Sequence, residues 1–217
     1  MFNHLFHIAI LSDMNGRKEM AILSSGQLIS GILRKNMIRC LKQQKRLTSK
    51  SLQTLLVPTV TQLDMEDVYL TKKILSTIWT QCPNLVAISL KGCGYLITDN
   101  VLNQFVQNLP KLERLNLCSC THLTSKCLSI LSKWLVHLQV LHITSVPSLT
   151  FSSVQNFLQS ASELKFVDVF YLKTTSEQYT ALMETAKRKE IKIILRDPKK
   201  KILEGQSECD FGPPDSA

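Results

Sequence analysis

The sequence predicts an α/β solenoid, a horseshoe with parallel strands on the concave face and helices on the convex face. Three observations predict it. An apolar pattern, Leu-x-x-apolar-x-apolar or a degenerate copy of it, starts at residues 60, 85, 112, 138, 164 and 190, in steps of 25 to 27. A second pattern, an apolar residue followed by Thr, falls between those starts. A unit of that length cannot bury its own apolar face, so neighbours must stack into a continuous core.

The chain divides into three parts. Residues 1–33 form an N-terminal segment without a readable pattern. Phe2–Leu11 is apolar but short, contains His4 and His7 and lacks a basic start, so secretion is not expected. Residues 34–195 are read as the repeat domain, led by a basic N-terminal cap. Over 28–46, Ile29, Ile32, Leu33, Met37 and Leu41 share one side of a helix, while Arg34, Lys35, Arg39, Lys42, Lys45 and Arg46 cover much of the rest. Such a helix would close the open end of the solenoid. A competing expectation falls on the same stretch. Leu47–Leu55 matches Leu123–Leu131 at most positions, which implies an earlier strand near Asn36–Leu41, with Arg39 on a core position. Residues 196–217 are rich in Pro, Gly and charge and are expected to be a disordered tail. Lys199-Lys-Lys201 there resembles a short nuclear-import signal.

The units follow in order: Val60-x-x-Leu63-x-Met65, Leu85-x-x-Ile88-x-Leu90, Leu112-x-x-Leu115-x-Leu117, Leu138-x-x-Leu141-x-Ile143, Leu164-x-x-Val167-x-Val169 and Glu190-x-x-Ile193-x-Leu195. Alternation within Ile88-x-Leu90 makes a short strand with one face buried. Thr98-Asp99 and Thr124-Ser125 sit where helix caps belong. Leu128, Leu131 and Leu135 then return an apolar stripe to the strand. Pro83, Pro110 and Pro147 fall between elements, where a missing N–H costs little. Five to six strand–helix units are expected between about 36 and 195.

Cys82-Pro-Asn-Leu-Val-Ala-Ile-Ser-Leu-Lys-Gly-Cys93 and Leu112-Glu-Arg-Leu-Asn-Leu-Cys-Ser-Cys120 resemble cysteine-containing leucine-rich repeats. That repeat type occurs in F-box/leucine-rich-repeat proteins and in the antagonist-of-mitotic-exit family. The resemblance covers about residues 47–195 and weakens as Cys93 and Cys120 give way to Val146 and Leu172. Leu47–Met65 is similar to the lead into the repeats of the mitotic-exit family. The resemblance implies a leucine-rich-repeat solenoid that recognises proteins, as a substrate receptor or regulator in a ubiquitin-ligase or cell-cycle pathway. Cullin-type ubiquitin-ligase subunits are then among the implied partners. The F-box itself, a three-helix module with a Leu-Pro start, is not read in residues 1–46.

Composition narrows the function. The apolar fraction of 44% and charged fraction of 20% are those of an ordinary globular domain. With aromatics at 6%, a regular Leu-rich core is expected rather than an aromatic-lined ligand pocket. The net charge of +9 is concentrated early, since residues 1–59 carry nine Lys/Arg against two Asp/Glu. A basic segment can attract nucleic acid, acidic lipid or an acidic protein face, but here a solvated helix face is favoured. No stretch approaches a membrane span. Six of the seven cysteines lie within 34–195 without disulfide spacing, so reduced thiols in a cytoplasmic or nuclear protein are expected. Cys118-x-Cys120, with Cys93 and Cys127 nearby, raises the question of zinc, which needs four converging ligands. Cys93 and Cys120 take the same inward position in adjacent units, which favours a ladder of buried thiols. Cys118 projects toward the inner face instead, as a free thiol. No metal, cofactor or enzymatic activity is expected. Gly92-Cys-Gly94 is a repeat turn and not a phosphate cradle, and no nucleophile elbow or paired carboxylate is present.

Binding is expected on the concave face, which carries the residues between the leucines. In chain order the columns hold Gln62, Asp64, Glu66; Ala87, Ser89, Lys91; Arg114, Asn116, Cys118; Val140, His142, Thr144; Phe166, Asp168, Phe170; and Lys192, Ile194, Arg196. Arg114, Asn116, His142, Phe166, Asp168 and Phe170 make the candidate partner-binding set. Two aromatics beside polar groups suit the centre of a protein interface. Alternatively, the last unit or the tail covers Phe166 and Phe170. The function expected is a protein–protein interaction module. Two alternatives remain open: a basic scaffold for nucleic acid or nucleoprotein, and a structural scaffold with no ligase link.

Overall fold

A computed structural model describes residues 31–199. The sequence readings of residues 1–30 and of the tail from Lys200 onward lie outside the described residues. The chain is an α/β leucine-rich-repeat solenoid. Seven helices and six strands are described: α1 (Gly31–Gln43), α2 (Ser49–Leu55), β1 (Gln62–Asp64), α3 (Lys72–Gln81), β2 (Ala87–Ser89), α4 (Asp99–Gln107), β3 (Arg114–Asn116), α5 (Lys126–Trp134), β4 (Val140–His142), α6 (Phe151–Ser160), β5 (Phe166–Asp168), α7 (Ser176–Arg188) and β6 (Lys192–Ile194). The strands form one parallel sheet in sequence order, β1 to β6. Consecutive units are therefore spatial neighbours throughout, as stacked repeats require.

Each strand is only three residues long because two demands meet there. The Leu-x-Leu alternation buries Leu63, Ile88, Leu115, Leu141 and Val167 on one side. The chain then turns sharply toward the convex helices. Asp67, Gly92, Ser119 and Ser145 occupy equivalent turn positions in successive units, all at positive φ between 55° and 75°. Gly92 is the one glycine of the four, and a Cβ there would lie 1.9 Å from Asp67 Oδ1 of the preceding unit.

Threonine starts most helices. Thr48, Thr71, Thr98, Thr150 and Thr175 each accept a hydrogen bond through Oγ1 from a backbone N–H in the first turn. α5 departs from this pattern. Its N-cap Ser125 makes no side-chain cap bond, and Thr124 Oγ1 accepts from Lys126 N instead. Asp99, expected as a cap residue, reaches to the next unit, where Oδ1 and Oδ2 accept from Thr124 N–H (3.0 Å) and O–H (2.6 Å).

The stretch Asn36–Leu41 is helix α1, which corrects the expected strand. As a strand it would drive Arg39 into the core. As a helix it buries Ile38, rests Met37 and Leu41 against the core and leaves Arg39 in solvent. α1 packs on α2 and β1, and two of its cations tie it there. Arg34 donates to the Thr54 carbonyl (3.0 Å), and Lys42 pairs with Asp64 of β1 (2.8 Å).

The thiol ladder is present. Cys93 Sγ donates to the Met65 carbonyl (3.3 Å) and Cys120 Sγ to the Leu90 carbonyl (3.4 Å), each in the preceding unit. Both are fully buried, and neither is in a disulfide. Burial pushes the Cys93 and Cys127 thiols up to about 12 and Cys82 up to about 11; it raises Cys120 as well. Thiolate is the reactive form. Iodoacetamide at neutral pH should therefore modify half-exposed Cys40 well before Cys93, Cys120 or Cys127, as peptide mass mapping would show; early modification of Cys93 would contradict this packing. Among the described residues no cluster of metal ligands forms, and no helix is long and apolar enough to cross a membrane.

Candidate functional site

The sheet register sorts the concave residues into rows. One row runs Gln62, Ala87, Arg114, Val140, Phe166, Lys192, and the next runs Asp64, Ser89, Asn116, His142, Asp168, Ile194. All six residues selected from the sequence lie on β3, β4, β5 or the turn just after β5. The structure separates them by depth, however. Asn116, His142 and Asp168 are side by side but buried, at 1%, 8% and 6% exposure. Arg114, Phe166 and Phe170 are partly open to solvent.

The buried three are structural at close range. Asn116 Oδ1 accepts from Cys118 N–H (2.9 Å), and Asp168 Oδ1 accepts from Phe170 N–H (3.0 Å). Asp64 Oδ1 does the same for Glu66 N–H (2.9 Å) in the first unit. These side chains satisfy the backbone donor two residues on, where the strand leaves the sheet. Ser89 Oγ and Asn116 Nδ2 are buried without a hydrogen-bond partner among the described residues. Cys118, expected on the inner face as a free thiol, is in no disulfide but is buried at 1% exposure.

His142 and Asp168 form a pair across β4 and β5, with Nδ1 3.8 Å from Oδ2. That is an ion-pair distance rather than a hydrogen bond. Burial works to raise the Asp168 carboxyl. Contacts from His142 and Thr144, the Phe170 N–H and the imidazole's charge outweigh it and hold Asp168 below its ordinary value. A carboxyl depressed in the folded state stabilises the fold above its unfolded pKa, and that stability is lost as pH falls through the folded value. Asp168→Asn should therefore cost stability at neutral pH, and the gap to wild type should close as pH falls below about 4. Urea unfolding at several pH values measures this; a gap independent of pH would show that Asp168 carries no such linkage.

The open row is aromatic and cationic. The Phe166 ring packs against His142, with centroids 5.0 Å apart, and Lys192 Nζ lies 5.9 Å from the Phe166 centroid. Phe170 packs edge-on to Tyr171 at 5.1 Å, and Tyr171 is itself exposed. The repeat pattern places Val140 and Lys192 in the same column without marking them out; the register makes them the direct neighbours of Phe166. A second exposed pair had no sequence signal. Tyr69 and Tyr95 stack at 5.3 Å with an 8° interplanar angle, and Tyr95 bonds through its hydroxyl to the backbone of Val68 and Leu70. That contact joins two adjacent units and explains Tyr95 as structural.

The acids that the sequence places on the first strand are neutralised within the fold. Asp64 pairs with Lys42, and Glu66 pairs with Lys91 at 2.6 Å. On the convex side, a shallow groove of about 480 Å³ between α5 and α6 is lined by Ser129, Ser132, Lys133, Asn156 and Ser160. Its serine hydroxyls donate to carbonyls of their own helices.

No protein-family model and no curated protein matches the chain. Among solved structures it is similar to a chain of the crystal structure of the Rad7 and Elc1 complex in yeast, with a TM-score of 0.59 and 19% identity over 89% of this chain and 51% of that one. It is also similar to the leucine-rich-repeat-containing protein LegL7 from Legionella pneumophila, with a TM-score of 0.48 and 18% identity over 70% of this chain and 52% of that one. The chain thus spans about half the length of each. What it shares with the chain from the yeast complex is the fold.

Proposed function

We propose that the chain is a protein-recognition module that binds its partner on the concave face of β3–β6. One observation carries this reading. The register sets Phe166 between Val140 and Lys192, with Arg114 one strand beyond Val140, so that an accessible aromatic is ringed by polar and apolar neighbours. Interface centres have this composition.

The partner's setting is a ubiquitin-ligase or cell-cycle assembly, with the chain as substrate receptor or regulator and cullin-type subunits among its neighbours. The cysteine-containing repeats support this, through their resemblance to F-box/leucine-rich-repeat proteins. The fold likeness to a chain crystallised in a two-protein complex is in keeping with it. Affinity purification of the full chain followed by mass spectrometry tests both levels. Recovery of ligase subunits supports the setting. Recovery of a protein partner that is lost on mutating Phe166 and Phe170, but kept on mutating Lys133 of the convex face, supports the recognition site. Recovery indifferent to Phe166 and Phe170 would remove the concave face from consideration.

A further inference from the structure

We infer that the concave face receives an extended acidic peptide, in which two carboxylates four residues apart flank one apolar side chain. This rests on the concave-face reading above and adds the chemistry and spacing of the partner.

Charge comes first. The acids of the first unit are already paired, Asp64 with Lys42 and Glu66 with Lys91. Asp168 is buried, with its carboxylate engaged by Phe170 N–H and His142. Arg114, Lys192 and Arg196 have no carboxylate partner among the described residues. The open part of the face therefore carries uncompensated positive charge over β3 to β6. A carboxylate-bearing partner complements it.

Geometry sets the spacing. Arg114 and Lys192 share one row and are separated by three strand intervals, with Val140 and Phe166 between them. At about 4.8 Å per interval their Cα atoms are roughly 14 Å apart. In an extended peptide, residues i, i+2 and i+4 share a face, and i to i+4 spans about 13 Å. Carboxylates at i and i+4 then reach Arg114 and Lys192 together, while the side chain at i+2 rests between Val140 and Phe166. On a helix the same four-residue spacing does not reach both cations, since i and i+4 side chains are only about 6 Å apart. A nucleic-acid strand fits poorly, because two apolar residues interrupt the cations and one side of the Phe166 ring is covered by His142.

Fluorescence anisotropy with the full chain tests this. The probe is a labelled Ser-Asp-Ser-Leu-Ser-Asp-Ser peptide, compared with a peptide of the same composition carrying adjacent acids and with one carrying Asn for both Asp. The spaced acidic peptide should bind about tenfold more tightly than either control. Arg114→Gln and Lys192→Gln should each weaken it about five- to tenfold, the range of a charge-assisted contact. Arg114→Lys should restore part of the loss, and Lys133→Gln should have no effect. Melting curves establish that each variant is folded. Equal binding of the three peptides, or indifference to both cation variants, overturns the inference. So does a seven-nucleotide thymidylate strand that binds more tightly than the peptide and loses affinity with the same variants. Failure here, with partner recovery still dependent on Phe166 and Phe170, removes the charge and spacing but leaves the concave-face reading standing. Recovery independent of those rings removes that reading itself.

Discussion

Phe166→Ala combined with Phe170→Ala is expected to weaken partner binding at least thirtyfold while the protein stays folded. The two rings lie in different rows. Phe166 is held by His142 at 5.0 Å, Phe170 by Tyr171 at 5.1 Å, and neither ring is part of the buried core. Truncating an interface anchor costs on the order of 2 kcal/mol or more, which is about thirtyfold in affinity. The folding cost is smaller because the rings are only partly buried. At about 1 kcal/mol per ring, the melting temperature should fall by only a few degrees in a chain of this size. Calorimetry on the purified complex and thermal melts on the free variant separate the two effects. Unfolding of the variant at room temperature would mean that the rings belong to the core.

Phe105→Ala is expected to do the reverse, lowering stability by about 3–5 kcal/mol. Phe105 is completely buried on α4 and meets Trp79 of α3 edge-on, with centroids 6.0 Å apart. It sits in the middle of the solenoid, so the cavity would loosen two neighbouring units together. In a stacked repeat, stability depends on each unit's contact with the next. Urea unfolding should show a midpoint far below wild type. A change under 1 kcal/mol would mean that the core of these units is not packed as described.

The periodic part of the fold is legible in the sequence because its cause is local and repeated. Leu85-x-x-Ile88-x-Leu90 and its copies specify which side of each strand is buried, and the step of about 26 residues specifies that neighbours stack. Thr98 and Thr150 mark helix starts for the same reason. Legibility fails where the decisive contact is between units. Lys42 finds Asp64 across 22 residues, which ties α1 to the first strand; from the sequence alone, the same stretch fits both a strand and a helix. Arg39 on a core position was the one local sign against the strand. The site is half legible on the same principle. The columns correctly align Asn116, His142 and Asp168, but alternation alone cannot show that neighbours bury them. Nor can it show that Glu66 and Lys91 neutralise each other, which leaves the open cations of the face on β3 to β6.

Crosslinking mass spectrometry on the affinity-purified complex tests the central claim most directly. An amine-reactive crosslinker reports which lysines lie beside the partner. Lys192 is an exposed residue on the concave side, whereas Lys126 and Lys133 are exposed on the convex helix α5. Recognition on the concave face predicts crosslinks from the partner to Lys192 and none to Lys126 or Lys133. Crosslinks confined to Lys126 and Lys133 would contradict it and place the partner on the outer helices.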